Sequence, residues 1–198
     1  MRDFGPSKHN KENMNSKPIL LSLFFATIIL TLSMINININ ILPFKANFNS
    51  LTADAKKQVT CLAENIYFEA GHEPHEGKKA VAFVTLNRLQ TGNYASSICE
   101  VVQQKTGSVC QFSWYCDHTF TSKRLTIKGT PLYNEILEIS TNIFLNFERI
   151  QDVTNGATYY HADYVSPEWT KLKKEKQIGR HIFYKSKGDK IDRNKGII

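Results

Sequence analysis

The segment NIYFEAGHEPHEG, residues 65–77, carries three glutamates and two histidines within thirteen positions. Such side chains can bind a metal ion or exchange protons with a substrate. A zinc site of the His-Glu-x-x-His type places its two histidines four residues apart on one helix. Here His72 and His75 are three apart, and Pro74 between them lacks the amide that a helix interior needs. The spacing argues against zinc and leaves an acid–base site or a charged turn.

A helix must position the first of these glutamates. Apolar residues recur at helical spacing in the preceding stretch and form one stripe, made of Val59, Leu62, Ala63, Ile66, Tyr67 and Ala70. Gly71 supplies a C-terminal stop. At about 100° per residue, Glu64 lies away from the stripe, so we expect it to be a solvated surface charge.

Glu69 differs from Glu64, because it lies at the edge of the stripe in the last helical turn. Partial burial raises a carboxyl pKa, and the negative end of the helix dipole acts in the same direction. Both effects favour a protonated acid near neutral pH, as a general acid requires. The structural alternative is a glutamate that is paired with a nearby lysine or arginine.

Three further helices are predicted. EGKKAVAFVTLNRLQTG is apolar on nearly every side from Ala80 to Leu86, which indicates a core helix that ends at Gly92, with structural roles for Asn87 and Arg88. SSICEVVQQK predicts a helix with a serine cap. TPLYNEILEISTNIFLNF predicts another, with Thr130 as its cap and a proline at its first position.

Aromatic and alternating segments complete the domain. GSVCQFSWYCDHTF is aromatic and poorly helical; a rigid loop of this kind suits sugar binding, although such aromatic residues also fill cores. After the turn signal DVTNGA, TYYHADYV and IGRHIFYK alternate as strands. They predict a small antiparallel hairpin that places His161 and His181 on neighbouring strands.

The N-terminal part differs in kind. Residues 1–18 are polar and weakly basic, and an uncharged run, ILLSLFFATIILTLSMI, follows them. The run is slightly shorter than the roughly 20 residues of a membrane-spanning helix, and no Ala-x-Ala-like cleavage site follows it. We predict an uncleaved signal anchor over residues 19–42, with residues 1–18 cytoplasmic and a linker over 43–55. A cleaved signal peptide is the alternative; either places the remainder outside the cytoplasm.

The net charge of +7 comes from one end of the chain. From Lys171 onwards there are ten Lys and Arg residues against three Asp and Glu. A basic end suits an anionic surface such as wall polymer, lipid headgroups or nucleic acid. For residues 187–198 we expect a solvated, frayed tail.

Four cysteines lie beyond the predicted anchor, at Cys61, Cys99, Cys110 and Cys116. An even number on the exported side predicts two disulfides, with three possible connectivities. If the second helix runs back along the first, the chain that leaves it returns towards Cys61 and brings Cys99 close, while Cys110 and Cys116 bracket a tight loop. We therefore favour Cys61–Cys99 and Cys110–Cys116 over the other pairings. Free thiols are an alternative, and the lack of paired Cys-x-x-Cys spacing disfavours zinc.

Four ordered blocks resemble the SleB/CwlJ-type cell-wall hydrolases. They are CLAENIYFEAGHEPHEGKKAVAFVTLNR, VCQFSWYCD, GATYYHADYVSPEW and IGRHIFYK. The resemblance implies an α+β, mainly helical lysozyme-like domain over residues 56–186 that cleaves peptidoglycan glycan strands without a metal or other cofactor.

The family's catalytic glutamate opens a Glu-Ala-Arg-Gly-Glu-Pro motif, and by this resemblance it corresponds to Glu69. The later glutamate and proline of the motif correspond to Glu73 and Pro74. The chain departs from the motif between them, with Gly71 at the usual arginine and His72 at the usual glycine.

Enzymes of this family resemble lytic transglycosylases, in which one carboxyl protonates the glycosidic oxygen between N-acetylmuramic acid and N-acetylglucosamine. The same group then acts as base while the muramyl 6-hydroxyl closes an anhydro ring. A hydrolytic outcome would need a second carboxylate, for which Asp117 is the first candidate and Asp163 the second. A stem-peptide amidase and a noncatalytic wall-binding module are the alternatives.

The expected partners are peptidoglycan glycan strands and, through the anchor, the membrane, but not nucleic acid. The residues predicted to bind substrate lie in the aromatic loop and the hairpin. They are Phe112, Trp114, Asp117, Tyr160, His161, Trp169 and His181.

Overall fold

The structure is a computed structural model, which describes residues 24, 25, 27, 47–167, 169, 172–193, 196 and 197. The chain divides into two compact units, residues 1–44 and 45–198. In the first unit the three described residues are helical, and the rest of the predicted anchor and cytoplasmic segment lies outside the described residues. Within the part of the chain that the structure describes, no helix is both long and apolar enough to cross a bilayer.

The second unit consists of six α-helices and two small antiparallel sheets within the described residues, so the predicted mainly helical α+β class is confirmed. A 3₁₀ turn at Phe48–Ser50 precedes the first helix. The elements that follow are α1 Ala53–Ala70, α2 His75–Thr91, α3 Ile98–Gln103, β1 Lys105–Thr106, β2 Val109–Cys110, α4 Ser113–Cys116, α5 Thr119–Thr126, α6 Pro131–Asn146, β3 Tyr159–Ala162, β4 Lys173–Ile178 and β5 His181–Lys185.

Helix ends follow the local chemistry of the sequence. Thr52 accepts a hydrogen bond from a backbone amide in the first turn of α1, so this helix begins inside the predicted linker over 43–55. Ser97 and Thr130 cap α3 and α6 in the same way, as predicted. Gly92 ends α2 with a φ of 70°, in the left-handed region that glycine adopts without steric cost.

The core lies between α1 and the helices packed against it, which are α2, α3 and α6. The predicted stripe of α1 is buried throughout except for Tyr67, which is partly buried. In α2, every residue from Ala80 to Gln90 is buried. Burying one Leu, Ile or Phe side chain stabilises a fold by about 1.5–3 kcal/mol, so these two helices anchor the domain.

The larger sheet has the strand order β3-β5-β4. The predicted pairing of TYYHADYV with IGRHIFYK is confirmed, with Tyr160 opposite Phe183 and His161 opposite Ile182. The sequence analysis missed β4, because its KKEKQI sequence lacks the apolar alternation by which a half-buried strand is recognised. Lysine-rich strands of this kind suit a sheet edge, where charge discourages pairing with another chain.

The favoured disulfide pairing is confirmed. Cys61 and Cys99 are bonded with their Cα atoms 5.2 Å apart, and Cys110 and Cys116 are bonded with Cα atoms 5.8 Å apart. The first bridge joins α1 to α3, and the second closes the segment between β2 and the end of α4.

The two bridges are expected to stabilise the domain unequally. Chain entropy gives about 4 kcal/mol for the Cys61–Cys99 bridge, which spans a separation of 38 residues, and about 2 kcal/mol for Cys110–Cys116, which spans 6. Urea unfolding of the double variants Cys61→Ser/Cys99→Ser and Cys110→Ser/Cys116→Ser measures both. An equal or larger loss from the short bridge would contradict this ranking.

The expectation of a frayed C-terminal tail is wrong for its described residues. Arg193 donates hydrogen bonds to the carbonyl oxygens of Phe147 and Ile150, the latter at 2.8 Å, and Gln90 Nε2 donates to Gly196 O at 2.8 Å. The last carbonyls of a helix have no partner within it, and Arg193 supplies donors near the end of α6. The folded unit therefore extends beyond residue 186.

Candidate active site

Glu69 lies in the last turn of α1 and is half-buried. Its Oε2 accepts a hydrogen bond of 2.8 Å from the hydroxyl of Tyr160, which comes from β3, 91 residues away in the chain. Among the described residues no hydrogen bond reaches Oε1. One carboxyl oxygen is therefore fixed by the protein, and the other is available to a substrate.

The surroundings of Glu69 favour its protonated form. Burial raises the pKa of Glu69, against the opposing effects of the Tyr160 hydrogen bond and the Arg88 charge. The predicted upward shift is confirmed. Burial and the neighbouring Glu69 charge also raise the pKa of Tyr160, so its hydroxyl keeps its proton and remains a donor.

Arg88 is buried beside this pair, with 5% of its surface exposed. Its Nε donates to Thr158 O at 2.7 Å, and its guanidinium lies 5.1 Å from the ring centroid of Phe112 and 5.4 Å from that of Tyr94. The predicted structural role is confirmed. Sequence reasoning missed that the same cation acts electrostatically on Glu69.

One face of the sheet carries Tyr160 towards Glu69. Its ring centroid lies 5.1 Å from that of His181 and 5.7 Å from that of Phe183. His181 is buried, and burial lowers its pKa although the charges of Glu73 and Asp163 oppose the shift. The structure thus places one of the predicted substrate-binding residues, Tyr160, in contact with the candidate acid. A second, His181, packs on the ring of Tyr160.

The opposite face carries His161, because successive strand residues point to opposite sides of a sheet. Trp169, which lies outside the strands, packs on the same side. His161 Nε2 and the Tyr184 hydroxyl are 3.0 Å apart, and their rings stack at 5.3 Å. Trp169 packs on both rings and remains 37% exposed. The predicted groove, in which His161 and Trp169 line one surface with Tyr160, is therefore corrected, since the sheet separates the two sets.

Phe112 and Trp114 belong to the core, which corrects their prediction as groove residues. They are 2% and 4% exposed. Trp114 Nε1 donates to Asn65 Oδ1 at 2.9 Å, and its ring stacks on Phe68 at 4.7 Å. The short helix α4, closed by the Cys110–Cys116 bridge, turns this part of the aromatic segment inward.

The two reserve carboxylates have structural partners. Asp117 is exposed and its Oδ1 accepts from Thr119 N at 2.8 Å, at the start of α5; this hydrogen bonding lowers the pKa of Asp117. Asp163 pairs with Arg180 at 3.0 Å. The Asp163–Arg180 ion pair links the segment after β3 to the β4–β5 turn.

The prediction that Glu64 is a solvated surface charge is wrong. It is 4% exposed, and its Oε2 accepts from Arg124 Nη2 at 2.6 Å and from Nε at 3.0 Å. Arg124 belongs to α5, a helix that the sequence analysis missed, and its side chain lies over the side of α1 away from the stripe. Glu64 joins α1 to α5 and does not neighbour the acid.

In the GHEPHEG segment after α1, residues 71–74 form a structural turn and the last three residues begin α2. Glu73 Oε2 accepts from Arg180 N at 3.1 Å in the β4–β5 turn. Gly179 in that turn has a φ of 56°, and a Cβ there would lie 1.8 Å from Glu73 Oε2, so only glycine fits. His72 and His75 are exposed. This turn fixes the end of α1 against the sheet.

A cavity of about 360 Å³ lies elsewhere, between α1 and α6. Its lining contains none of the three site residues Glu69, Tyr160 and Arg88. The lining residues are Phe48, Thr60, Lys128, Gly129, Tyr133, Asn134 and Leu137.

The fold and site define a small disulfide-bonded α+β domain that presents, at a helix end, the Glu69 carboxyl, whose pKa is raised by burial. Comparison with known proteins places it more narrowly. Residues 72–184, more than half of the chain, match the family described as Cell Wall Hydrolase. The chain belongs to the cell wall hydrolase family and is an enzyme of that family. The matched range begins three residues after Glu69, so the role of Glu69 rests on its geometry and on the motif.

Two relatives are spore cortex-lytic enzymes. The chain is 28% identical over 127 residues to that of Halalkalibacterium halodurans, covering 63% of this chain and 34% of the relative. It is 27% identical over 131 residues to that of Bacillus subtilis, covering 65% and 38%. The chain therefore spans little more than a third of the length of these relatives.

A solved structure shows the same fold. The catalytic domain of the germination-specific lytic transglycosylase SleB from Bacillus anthracis matches with a TM-score of 0.50 at 22% identity, covering 69% of this chain and 98% of that domain. The described part of the chain thus has the SleB catalytic fold.

Proposed function

We propose that this protein cleaves peptidoglycan glycan strands as a lytic transglycosylase, with Glu69 as the general acid and base. The observation that carries the proposal is the half-buried Glu69 carboxyl, raised in pKa and held through one oxygen by Tyr160. Family membership and the lytic transglycosylase among the structural neighbours support the reaction type.

The chemistry needs one carboxyl. Protonated Glu69 gives its proton to the glycosidic oxygen that leaves from C1 of N-acetylmuramic acid, and the C1–O bond breaks. The 6-hydroxyl oxygen of the same sugar then bonds to C1, and its proton passes to the Glu69 carboxylate. The products are a 1,6-anhydromuramyl end and a free N-acetylglucosamine hydroxyl, and Glu69 regains its proton. No water is consumed, so no second carboxylate is required, in contrast to the two-carboxylate glycosidases.

We further propose that a long glycan strand contacts both faces of the sheet edge. Tyr160 contacts Glu69 and His181 packs on Tyr160. Trp169 offers a partly exposed ring on the other face, packed on His161 and Tyr184. Aromatic side chains with one exposed face and polar neighbours suit sugar stacking, because they combine apolar area with a polar edge.

The two disulfides support a site of action outside the cytoplasm. Such bonds form and persist in oxidising compartments and are rare in a reducing cytosol, and peptidoglycan lies outside the membrane. An anchor over residues 19–42 would hold the enzyme next to this substrate.

Mass spectrometry of fragments released from purified sacculi tests the proposed reaction. We expect glycan fragments that end in 1,6-anhydromuramic acid, 18 Da lighter than hydrolytic products because no water is added. Reducing muramic acid ends would instead indicate hydrolysis, free stem peptides would indicate an amidase, and binding without release would indicate a wall-binding module. Each of these three outcomes contradicts the proposal.

A further inference from the structure

We propose that Tyr160 and Arg88 are the positioning residues of the site: Tyr160 fixes which oxygen of Glu69 delivers the proton, and Arg88 supplies the charge that stabilises the carboxylate between the two proton transfers. This inference rests on the proposed role of Glu69.

The hydrogen bond from Tyr160 makes the two carboxyl oxygens of Glu69 inequivalent. The Tyr160 hydroxyl donates to Oε2 at 2.8 Å, so Oε2 is occupied and the acidic proton resides on Oε1. A half-buried carboxyl with one oxygen fixed cannot rotate freely. Tyr160 is itself immobilised by the rings of His181 and Phe183 at 5.1 and 5.7 Å, so the orientation of Glu69 is set by the sheet.

Arg88 has a different role, which is to stabilise the negative charge of the Glu69 carboxylate. After the first proton transfer the site holds a carboxylate in a half-buried position, which is costly unless a positive charge lies nearby. Arg88 is 5% exposed, and within the described residues it makes no ion pair and its Nη1 has no hydrogen-bond partner. Its Nε bond to Thr158 O and the rings of Phe112 and Tyr94 keep it in place. Arg88 is thus a buried cation with an unpaired N–H donor, and it can stabilise the negative charge that Glu69 acquires.

The charged and titratable groups around the pair come from three elements. Arg88 belongs to α2, Tyr160 to β3 and His181 to β5. Within the described residues, the side chains that influence the pKa of Glu69 are Tyr160, through its hydrogen bond, and Arg88, through its charge. Both lower the pKa of Glu69 against the effect of burial. Removing either contribution should therefore raise that pKa, and activity that depends on protonated Glu69 should persist to higher pH.

The test uses Tyr160→Phe in the full-length protein, with initial rates measured from acidic to alkaline pH on uncross-linked glycan strands. We expect kcat to fall by about tenfold or more, as for the loss of a hydrogen bond to a charged group, with KM changed by less than about threefold. We also expect the alkaline limb of the kcat profile to move to higher pH. Loss of folded protein alone would lower the apparent rate without moving that limb.

Arg88→Gln and Arg88→Lys test the charge. Arg88→Gln should move the alkaline limb to higher pH, and Arg88→Lys should restore most of the original position. Tyr133→Phe, which removes a buried hydroxyl that does not contact Glu69, is the matched control and should leave the limb unchanged. Thermal melting of each variant confirms that it is folded.

The outcomes separate this inference from the proposed function. Suppose that Glu69→Gln is inactive, but that Tyr160→Phe has the same kcat and the same alkaline limb of the pH profile as the unmodified protein. The positioning role of Tyr160 is then overturned, while the assignment of Glu69 as the general acid is kept. If Arg88→Gln is folded and its limb is unchanged, the role of Arg88 is overturned. If Glu69→Gln stays active, the proposed function fails first.

Discussion

Glu69→Gln is expected to lower the rate of peptidoglycan cleavage by about 10²–10⁴-fold, the typical contribution of one general acid. Glutamine has nearly the same shape, and its amide oxygen can still accept the hydrogen bond that Tyr160 donates to Oε2. It has no proton to give to the glycosidic oxygen. Zymography on sacculi, with release of soluble fragments as a quantitative assay, measures the loss.

Glu76→Gln is the matched control, because Glu76 lies in the first turn of α2 and is exposed. It should cleave sacculi at the rate of the unmodified protein. Both variants should melt at the temperature of the unmodified protein within a few degrees. Substantial cleavage by Glu69→Gln would remove Glu69 from the role of acid.

Trp114→Ala is expected to destabilise the domain by about 3–5 kcal/mol, the usual cost of truncating a buried Trp or Phe. The loss combines a cavity beside Phe68 with an unpaired Oδ1 on Asn65, a residue with 0% exposure. Urea unfolding measures the change in the free energy of unfolding. A loss below about 1 kcal/mol would contradict the core position of Trp114.

Trp169→Ala provides the contrast, since Trp169 is the only other tryptophan of the chain. It is 37% exposed, so its removal should cost roughly 1 kcal/mol or less. We expect it to weaken pull-down by purified sacculi. Unchanged pull-down by a folded Trp169→Ala variant would argue against a glycan contact on this face of the sheet.

Local chemistry made much of the fold predictable. The α1 stripe, the caps at Ser97 and Thr130, and the stop at Gly92 each depend on residues within one or two helical turns. The disulfide pairing followed from the expected return of α2 along α1. Each of these features is determined by residues close in sequence or by a short connection.

The missed elements have no such local signal. β4 is a lysine-rich edge strand, and α5 has no buried residue, so neither shows the apolar periodicity that reveals a helix or strand. Missing α5 also caused the error at Glu64, because the side of α1 that looked polar and solvated is covered by Arg124 from α5.

The site was predictable only in part for the same reason. The position of Glu69 at the helix end and at the edge of the apolar stripe follows from α1 alone, whereas its partner Tyr160 lies 91 residues further along the chain. The two faces of the sheet could be separated by strand alternation, but Trp169 lies outside the strands. Its side of the sheet is decided by tertiary packing.

The 91-residue separation of Glu69 and Tyr160 has a consequence for biosynthesis. Chains emerge from the ribosome with the N-terminus first, so α1 is complete long before β3 exists. Until the sheet docks, Glu69 lacks the Tyr160 hydroxyl as its hydrogen-bond partner, and the site is incomplete. The Glu69–Tyr160 pair therefore assembles only after the C-terminal strands, which begin at Tyr159, have been synthesised and have folded onto the helices.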